Sequence, residues 1–246
     1  MMKKICLILG GTSEIGQAIG DQFAKSGFDL YLTARHTSLF DQKLVEMWKG
    51  NYGSETTWFE FEALTFAQHL PFYEQLPQSP AVVVSAIGYL GDHQKAEQDF
   101  VEAKKIFGVN YLANVSILNI VAADMEKRKE GTIIGISSVA GDRGRKSNYF
   151  YGSAKAAFSS YLSGLRNRLY PFGVFVITVK PGFVRTKMTA GSSLPALLVG
   201  SKEEVAASVW KAFRQNKQVI YVPKKWKCIM YIIRTIPERF FRRMNI

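Results

Sequence analysis

Cysteine is nearly absent from this 246-residue sequence, which has only Cys6 and Cys228. Two distant cysteines exclude a disulfide framework, and Cys6, inside an apolar run, reads as a reduced, buried thiol. Histidine is almost as scarce: His36, His69 and His93 show no metal-ligand spacing, so no metal site is expected and they are assigned solvated or capping roles. No apolar run reaches the roughly 18 uninterrupted residues of a membrane span. The apolar part of MMKKICLILGG is short and ends in a glycine turn, so no secretory signal is expected. Repeats and low-complexity tracts are missing, and with 47% hydrophobic and 21% charged residues the composition is that of one folded domain.

Acidic residues are also short, 20 against 32 Lys and Arg, for a net charge of +12. Such a balance suits nucleic acid, an anionic membrane or an anionic ligand, so its location decides. Residues 223–246 hold seven Lys/Arg against Glu238, a net of +6, so half of the excess sits in the last tenth of the chain. The expected organisation is therefore a domain over 1–222 followed by a basic extension over 223–246.

What is present is alternation. KKICLIL, FDLYLTA, TTWFEF, AVVVSA, GTIIGIS, GVFVITV and QVIYV are β-rich. Helical stretches separate them, at about 13–25, 38–49, 65–76, 93–128, 149–170 and 202–215. Seven strands divided by helices imply right-handed βαβ units and a doubly wound parallel sheet, an α/β Rossmann-like single domain. AVVV and FVITV lack polar alternation, as strands buried on both faces should. In such sheets ligands bind beyond the carboxyl ends of the strands. The residues there are GGTSEIG, Ala34-Arg35, Ser85-Ala86-Ile87-Gly88, Ser137-Ser138 and Pro181-Gly182.

Gly10 and Gly16 bracket the first strand-to-helix turn, where backbone N–H groups and a helix N-terminus suit a pyrophosphate; the competing reading is a tight turn alone. Thr12 and Ser13 add hydroxyl donors. Glu14 would repel phosphate, so its side chain is expected to turn outward in the first helical turn, where the macrodipole favours an acid. Arg35 stands where NAD-binding proteins carry an acid for the ribose, and a guanidinium there can fork onto a 2′-phosphate, favouring NADP(H) over NAD(H). An ordinary exposed arginine is the alternative. Tyr151-Gly-Ser-Ala-Lys155 puts an ammonium on the same helical face as a phenol, about 6 Å along the axis. A cation so placed should lower the phenol's pKa and make tyrosine a general acid or base. Ser138, at a strand end upstream, can reach the same substrate oxygen.

Over nearly its whole length, and on these motifs with KPGFVRT at 180–186, the sequence resembles the short-chain dehydrogenases/reductases. The resemblance implies that Tyr151 is the catalytic acid/base, that Ser138 orients a carbonyl, and that Lys155 lowers the tyrosine pKa and binds nicotinamide ribose. It also implies that Asn110 holds a proton-relay water. Gly10, Thr12, Ser13, Ile15 and Gly16 match the dinucleotide loop, Glu62 an acidic position near adenine, and Ala86 and Gly88 the following turn. Pro181, Val184 and Thr186 match the segment near the carboxamide. Departures are Glu14 for a glycine, Glu62 for Asp, and Ser85-Ala86 for two asparagines. GGTSEIG and GYLGDHQ, residues 88–94, are further similar to ketoreductases that pair with a decaprenylphosphoryl-ribose 2′-epimerase and act on a lipid-linked 2-keto pentose. A reductase of a 3-ketoacyl, steroid or sphingoid ketone, and a non-catalytic NADP-binding scaffold, remain open.

In the extension, Trp226, Ile229, Met230, Ile232, Ile233, Ile236, Phe240, Phe241 and Met244 alternate with basic residues across Pro237. This reads as two amphipathic segments on an anionic membrane surface, or as a helix packed on another subunit. No nucleic-acid motif appears. The expected setting is cytoplasmic, free or on the inner membrane face, as a homo-oligomer, dimer or tetramer. Residues 187–201 are expected to form a lid.

Overall fold

Side chains that alternate along the strands divide the core in two. In β1 (Ile5–Leu9), Cys6 and Ile8 enter one apolar cluster while Leu7 and Leu9 enter another. The same split separates Val84 from Val83 in β4 (Val82–Ser85), Ile134 from Ile133 in β5 (Thr132–Ile136), and Ile177 from Val176 in β6 (Phe175–Pro181). With both faces of the strands needing cover, helices must lie on both sides. On one side, α1 (Glu14–Lys25), α2 (Gln42–Tyr52) and α8 (Lys202–Arg214) contribute Ile19, Phe23, Trp48, Val205 and Val209. On the other, α3 (His69–Glu74), α6 (Ala113–Arg128) and α7 (Tyr149–Leu169) contribute Phe72, Ile117, Val121, Phe158 and Leu162.

The structure, a computed structural model, describes residues 3–186 and 198–244. With β2 (Asp29–Ala34), β3 (Thr56–Glu60) and β9 (Val219–Val222), the seven-stranded sheet runs β3-β2-β1-β4-β5-β6-β9. Every pairing is parallel, from Ile5 opposite Asp29 to Pro181 opposite Val222. The chain winds outward from β1 to β3, then returns to β4 beside β1. That reversal opens a crevice at the carboxyl ends of β1 and β4. A second parallel pair, β7 (Phe183–Val184) with β8 (Val199–Gly200), was not legible in the sequence. The lid segment 187–201 lies, as far as residue 197, outside the described residues.

The helical region 93–128 consists of α4 (His93–Gln98), α5 (Phe100–Phe107), a π-helical turn over Gly108–Leu112, and α6. By length and composition, Phe100–Arg128 is apolar enough to cross a membrane, but half of its most apolar stretch is buried inside this protein.

The extension folds as α9 (Lys225–Thr235) and α10 (Glu238–Phe241), broken at Pro237 as the sequence suggests. Of the nine apolar residues expected to meet a membrane or another subunit, three are buried against the chain's own body instead. Trp226 and Met230 are buried in a cluster with Val139, beside Phe183 and Tyr221, and Phe241 is buried as well. Burial of large apolar surface in the chain's own body wins over interface exposure for these three. Arg143 fixes the arrangement. Its guanidinium donates to the carbonyls of Ile233 (2.9 Å), Arg234 (3.2 Å) and Ile236 (2.6 Å) at the end of α9, pairs with Glu238 (2.8 Å), and lies 3.8 Å over the Phe241 ring. A cation at these unsatisfied carbonyls also meets the negative end of the helix dipole.

Candidate functional site

The glycine loop after β1 is shaped by close packing. Gly10 has φ of +85°, and a Cβ there would lie 3.0 Å from the carbonyl carbon and oxygen of Ala86. At Gly16 a Cβ would come within 2.7 Å of Ser13 Oγ and 2.8 Å of the Gly10 carbonyl, so side chains are excluded at both ends of the turn. Ser13 caps α1 by accepting from the Gly16 N–H at 2.9 Å. These contacts expose Thr12, Ser13 and Ile15 on the wall of a cleft of about 520 Å³. Glu14, the first residue of α1, is among the residues that line the cleft, and its carboxylate lies 3.9 Å from Lys202 Nζ at the start of α8, outside that lining.

Ser138 follows β5 in extended conformation, its Oγ accepting from the Ala140 N–H at 3.1 Å. Tyr151, in the first turn of α7, lines the cleft with it. One turn on, Lys155 is buried; its Nζ donates to the Ile136 carbonyl (3.1 Å) and stands 5.7 Å from the centre of the Tyr151 ring. Ser137 Oγ donates to the Lys155 carbonyl (3.0 Å), tying α7 to the strand end that carries Ser138. The expected fall in the tyrosine pKa is not found. Burial pushes Tyr151 up to about 12, and only the Ser138 hydroxyl pulls it down. Burial also lowers Lys155 to about 7, so the cation that should stabilise phenolate is itself disfavoured by the same low-dielectric surroundings.

Asn110 is buried in the π-helical turn. Its Nδ2 donates to the carbonyls of Tyr89 (2.6 Å) and Ile106 (2.9 Å), and its Oδ1 accepts from the Tyr89 N–H (3.2 Å). The side-chain amide is thus spent on the backbone of α5 and of the loop after Gly88. Gly88 lies between the two groups: a Cβ there would sit 3.4 Å from Asn110 Oδ1 and 3.5 Å from Lys155 Nζ.

The cleft wall brings together most of the residues singled out in the sequence. Thr12, Ser13 and Ile15 meet Ala86 and Gly88 at one end, and Ser138, Tyr151 and Lys155 stand between these and Pro181, Val184 and Thr186. Gly10 and Gly16 lie beneath the wall and Asn110 behind it. Arg35 and Glu62 stay outside the wall and are exposed; the Glu62 carboxylate accepts from the Leu64 N–H at 3.2 Å. Sequence reasoning missed Arg145, Asn148 and His93, which also line the cleft. The loop position of the first two, between Ser138 and Tyr151, was the available signal. His93 is therefore not merely solvated, and His69 is buried, stacked on Phe61 at 4.8 Å with Nδ1 bonded to Ser116.

The donors fit a dinucleotide. A capped helix N-terminus, two hydroxyl side chains and a glycine turn free of Cβ atoms face one end, and a buried lysine without a carboxylate partner faces the middle. Thr12, Ser13 and the α1 N-terminus would hold phosphates and Lys155 a ribose. Among the described residues no group of three His, Cys, Asp or Glu is arranged to hold a metal ion.

Comparison with known proteins agrees with this geometry. The short chain dehydrogenase family matches residues 4–195. An uncharacterized oxidoreductase of Mycobacterium tuberculosis is 36% identical over 242 residues, spanning 97% of this chain and 96% of that one. A short-chain dehydrogenase from Sphingobium yanoikuyae in complex with NADPH superposes with a TM-score of 0.81 at 20% identity, covering 96% of this chain and 97% of the other. A 3-oxoacyl-[acyl-carrier protein] reductase from Brucella melitensis in complex with NAD gives 0.78 at 23%, covering 90% and 96%. The chain belongs to the short-chain dehydrogenase family of oxidoreductases.

Proposed function

We propose that this protein is an NADPH-dependent ketoreductase acting on a polyprenyl-phosphate-linked 2-keto sugar. The observation that carries this reading is the Tyr151 hydroxyl in the cleft, placed with Ser138 and Lys155 on one wall and kept protonated at neutral pH. A phenol that keeps its proton at neutral pH is a donor, as an incipient alkoxide requires. NADPH, when bound, supplies the hydride to the keto carbon. Ser138 and Tyr151 both hydrogen-bond the substrate oxygen, and Tyr151 gives it the proton as negative charge develops there. Lys155, behind the phenol, favours loss of that proton when it is itself charged. Asn110 acts as a positioning residue, holding the loop after Gly88 against Lys155.

Arg35, exposed just after β2, supports NADP over NAD, since a guanidinium there can fork onto a 2′-phosphate. The NADPH bound by the Sphingobium protein agrees with this, and the NAD of the Brucella reductase shows that the fold serves either. Tyr231, Ile232, Phe240 and Met244 remain exposed in the extension. With Lys227, Arg239, Arg242 and Arg243 around them, they support a cytoplasmic enzyme resting on an anionic bilayer, where a lipid-linked substrate presents its sugar. An epimerase pair, with this chain as a homo-oligomeric partner, belongs to the same reading.

The test is NADPH oxidation by the purified protein, with and without anionic liposomes, against a lipid-linked 2-keto pentose and a 3-ketoacyl ester. Turnover of the sugar lipid, rising with liposomes and lost in Tyr151→Phe, is expected. Turnover of the ester alone would keep the reductase and discard both the sugar and the membrane.

A further inference from the structure

We propose that Arg145, Asn148 and His93 form a substrate subsite for a phosphorylated, hydroxyl-bearing group, the chemistry of a sugar phosphate. The inference rests on the ketoreductase reading only for the identity of the molecule that brings this group. Its basis is a set of polar atoms left unmatched at one end of the cleft. Arg145 and Asn148 belong to the loop that leads into α7, and His93 opens α4; all three line the same cleft as Tyr151. Arg145 Nε, Asn148 Oδ1 and His93 Nδ1 are covered from water and have no hydrogen-bond partner among the described residues. Buried polar groups are ordinarily paired, and each unpaired one costs free energy that a suitable ligand would recover.

Each of the three atoms states what it needs. Among the described residues Arg145 has no acidic partner, and burial lowers its pKa, yet a guanidinium remains a cation in a protein and is best matched by an anionic acceptor. Among the described residues that line the cleft, the one acid is Glu14, whose carboxylate is beside Lys202. Asn148 occupies the N-cap of α7, a position where asparagine normally accepts from the helix, but its side chain makes no capping bond. Its amide is thus uncommitted to the fold. His93 Nε2 lies 2.8 Å from the Lys146 carbonyl and 3.4 Å from Glu97 Oε1, both acceptors, so Nε2 carries a ring proton, and a ring with that proton alone presents Nδ1 as an acceptor. One cationic donor and two acceptors match an anionic oxygen set beside hydroxyls. The hydrocarbon of a simple acyl ester offers neither. Among the described residues no side-chain hydrogen bond holds Arg145 or Asn148, so turning either toward an occupant breaks none, while the His93 ring is fixed by Lys146 and Glu97.

The test reads binding without turnover. Full-length protein saturated with NADP⁺ is titrated calorimetrically with ribose 1-phosphate, ribose and inorganic phosphate. Ribose 1-phosphate should bind at least tenfold tighter than either fragment, Arg145→Gln should erase that preference, Arg145→Lys should restore part of it, and Asn148→Ala and His93→Leu should each reduce it severalfold. Retention of NADP⁺ affinity shows that a variant is folded. Equal binding of ribose and ribose 1-phosphate by the wild type, or an unchanged preference in folded Arg145→Gln, would overturn the proposal; the wild-type comparison decides alone if that variant does not fold. A prenyl diester of ribose phosphate binding more tightly than the monoester supports the subsite with a lipid-linked source, and the reverse order supports it with a free sugar phosphate. Arg145-dependent binding by a protein that reduces no ketone would keep the subsite and sink the reductase reading. Turnover of a keto sugar indifferent to Arg145→Gln would do the opposite.

Discussion

At the α1 end of the cleft, polar groups are consumed by the fold: Ser13 Oγ accepts from Gly16 N–H, Thr33 Oγ1 from Gly10 N–H, and Gly11 N–H reaches the Thr33 carbonyl. At the end formed by 145–148 and His93, three polar atoms have no such employment. The first region is made of strand ends and a helix terminus, where backbone geometry does the binding and few side chains are free to vary. The second is made of one loop and one helix start, where side chains do it. The comparison teaches that the common chemistry of the cleft and its selectivity reside in different kinds of structure. Between them lies the Ser138–Tyr151–Lys155 group, which draws position from β5 and α7 and reactivity from burial.

Five changes would break or sharpen this contrast. The largest effect is expected from Tyr151→Phe, which should lower kcat by about 10³-fold, within the range for a lost general acid, while NADPH affinity measured by fluorescence stays near wild type. Lys155→Met should follow, with kcat/KM down by about 10²-fold. In the wild type, kcat/KM should fall as pH rises through about 7, where the buried ammonium loses its proton. The stability sign is the reverse. With a folded-state pKa near 7 against the ordinary 10.5, the unfolded chain binds the proton more readily, so wild-type stability should rise with pH between these values. Denaturant titrations at pH 7 and pH 9 should find Lys155→Met more stable than wild type at pH 7 and the gap narrower at pH 9.

Gly16→Val forces a Cβ against the Gly10 carbonyl and should cost about 1–3 kcal/mol of stability by the overpacking rule, read from the urea midpoint. Arg35→Asp should reduce the NADPH-over-NADH preference by about tenfold, the size of one charge-assisted hydrogen bond, in parallel KM measurements; an unchanged ratio would remove Arg35 from the cofactor. Smallest is Ile232→Ser with Phe240→Ser, expected to weaken sedimentation with anionic vesicles a few-fold while turnover of a water-soluble ketone is unaffected.

The sheet was readable because its strands are short β-rich runs between helical stretches, and Tyr151, Lys155 and Ser138 because their spacing relative to a helix and a strand end is fixed by local geometry. The contacts of Glu14 and Asn110 were not legible, because each side chain's partner lies far away in the chain, Lys202 for the first and Tyr89 for the second. The tyrosine pKa was misread because an i,i+4 spacing conveys proximity and says nothing of how deeply both groups are buried. Arg145 was invisible for a similar reason, since its lack of a partner is a property of the space around it. The tail's amphipathic pattern was real, but which of its apolar residues face inward depended on Val139, Phe183 and Gly182, where a Cβ would meet the Trp226 indole at 2.1 Å.

Arg143 has a consequence for the life of the chain before it is finished. Its partners at Ile233, Ile236 and Glu238 are made 90 or more residues after it, and Trp226, which packs with Val139 next to Ser138, is made nearly as late. Since synthesis runs from the N-terminus and earlier segments fold first, the sheet can assemble through β6 while the loop after Ser138 still lacks its cover. The loop after β1 is therefore shaped early, while the loop after Ser138 is covered only once residues 226–241 have been made.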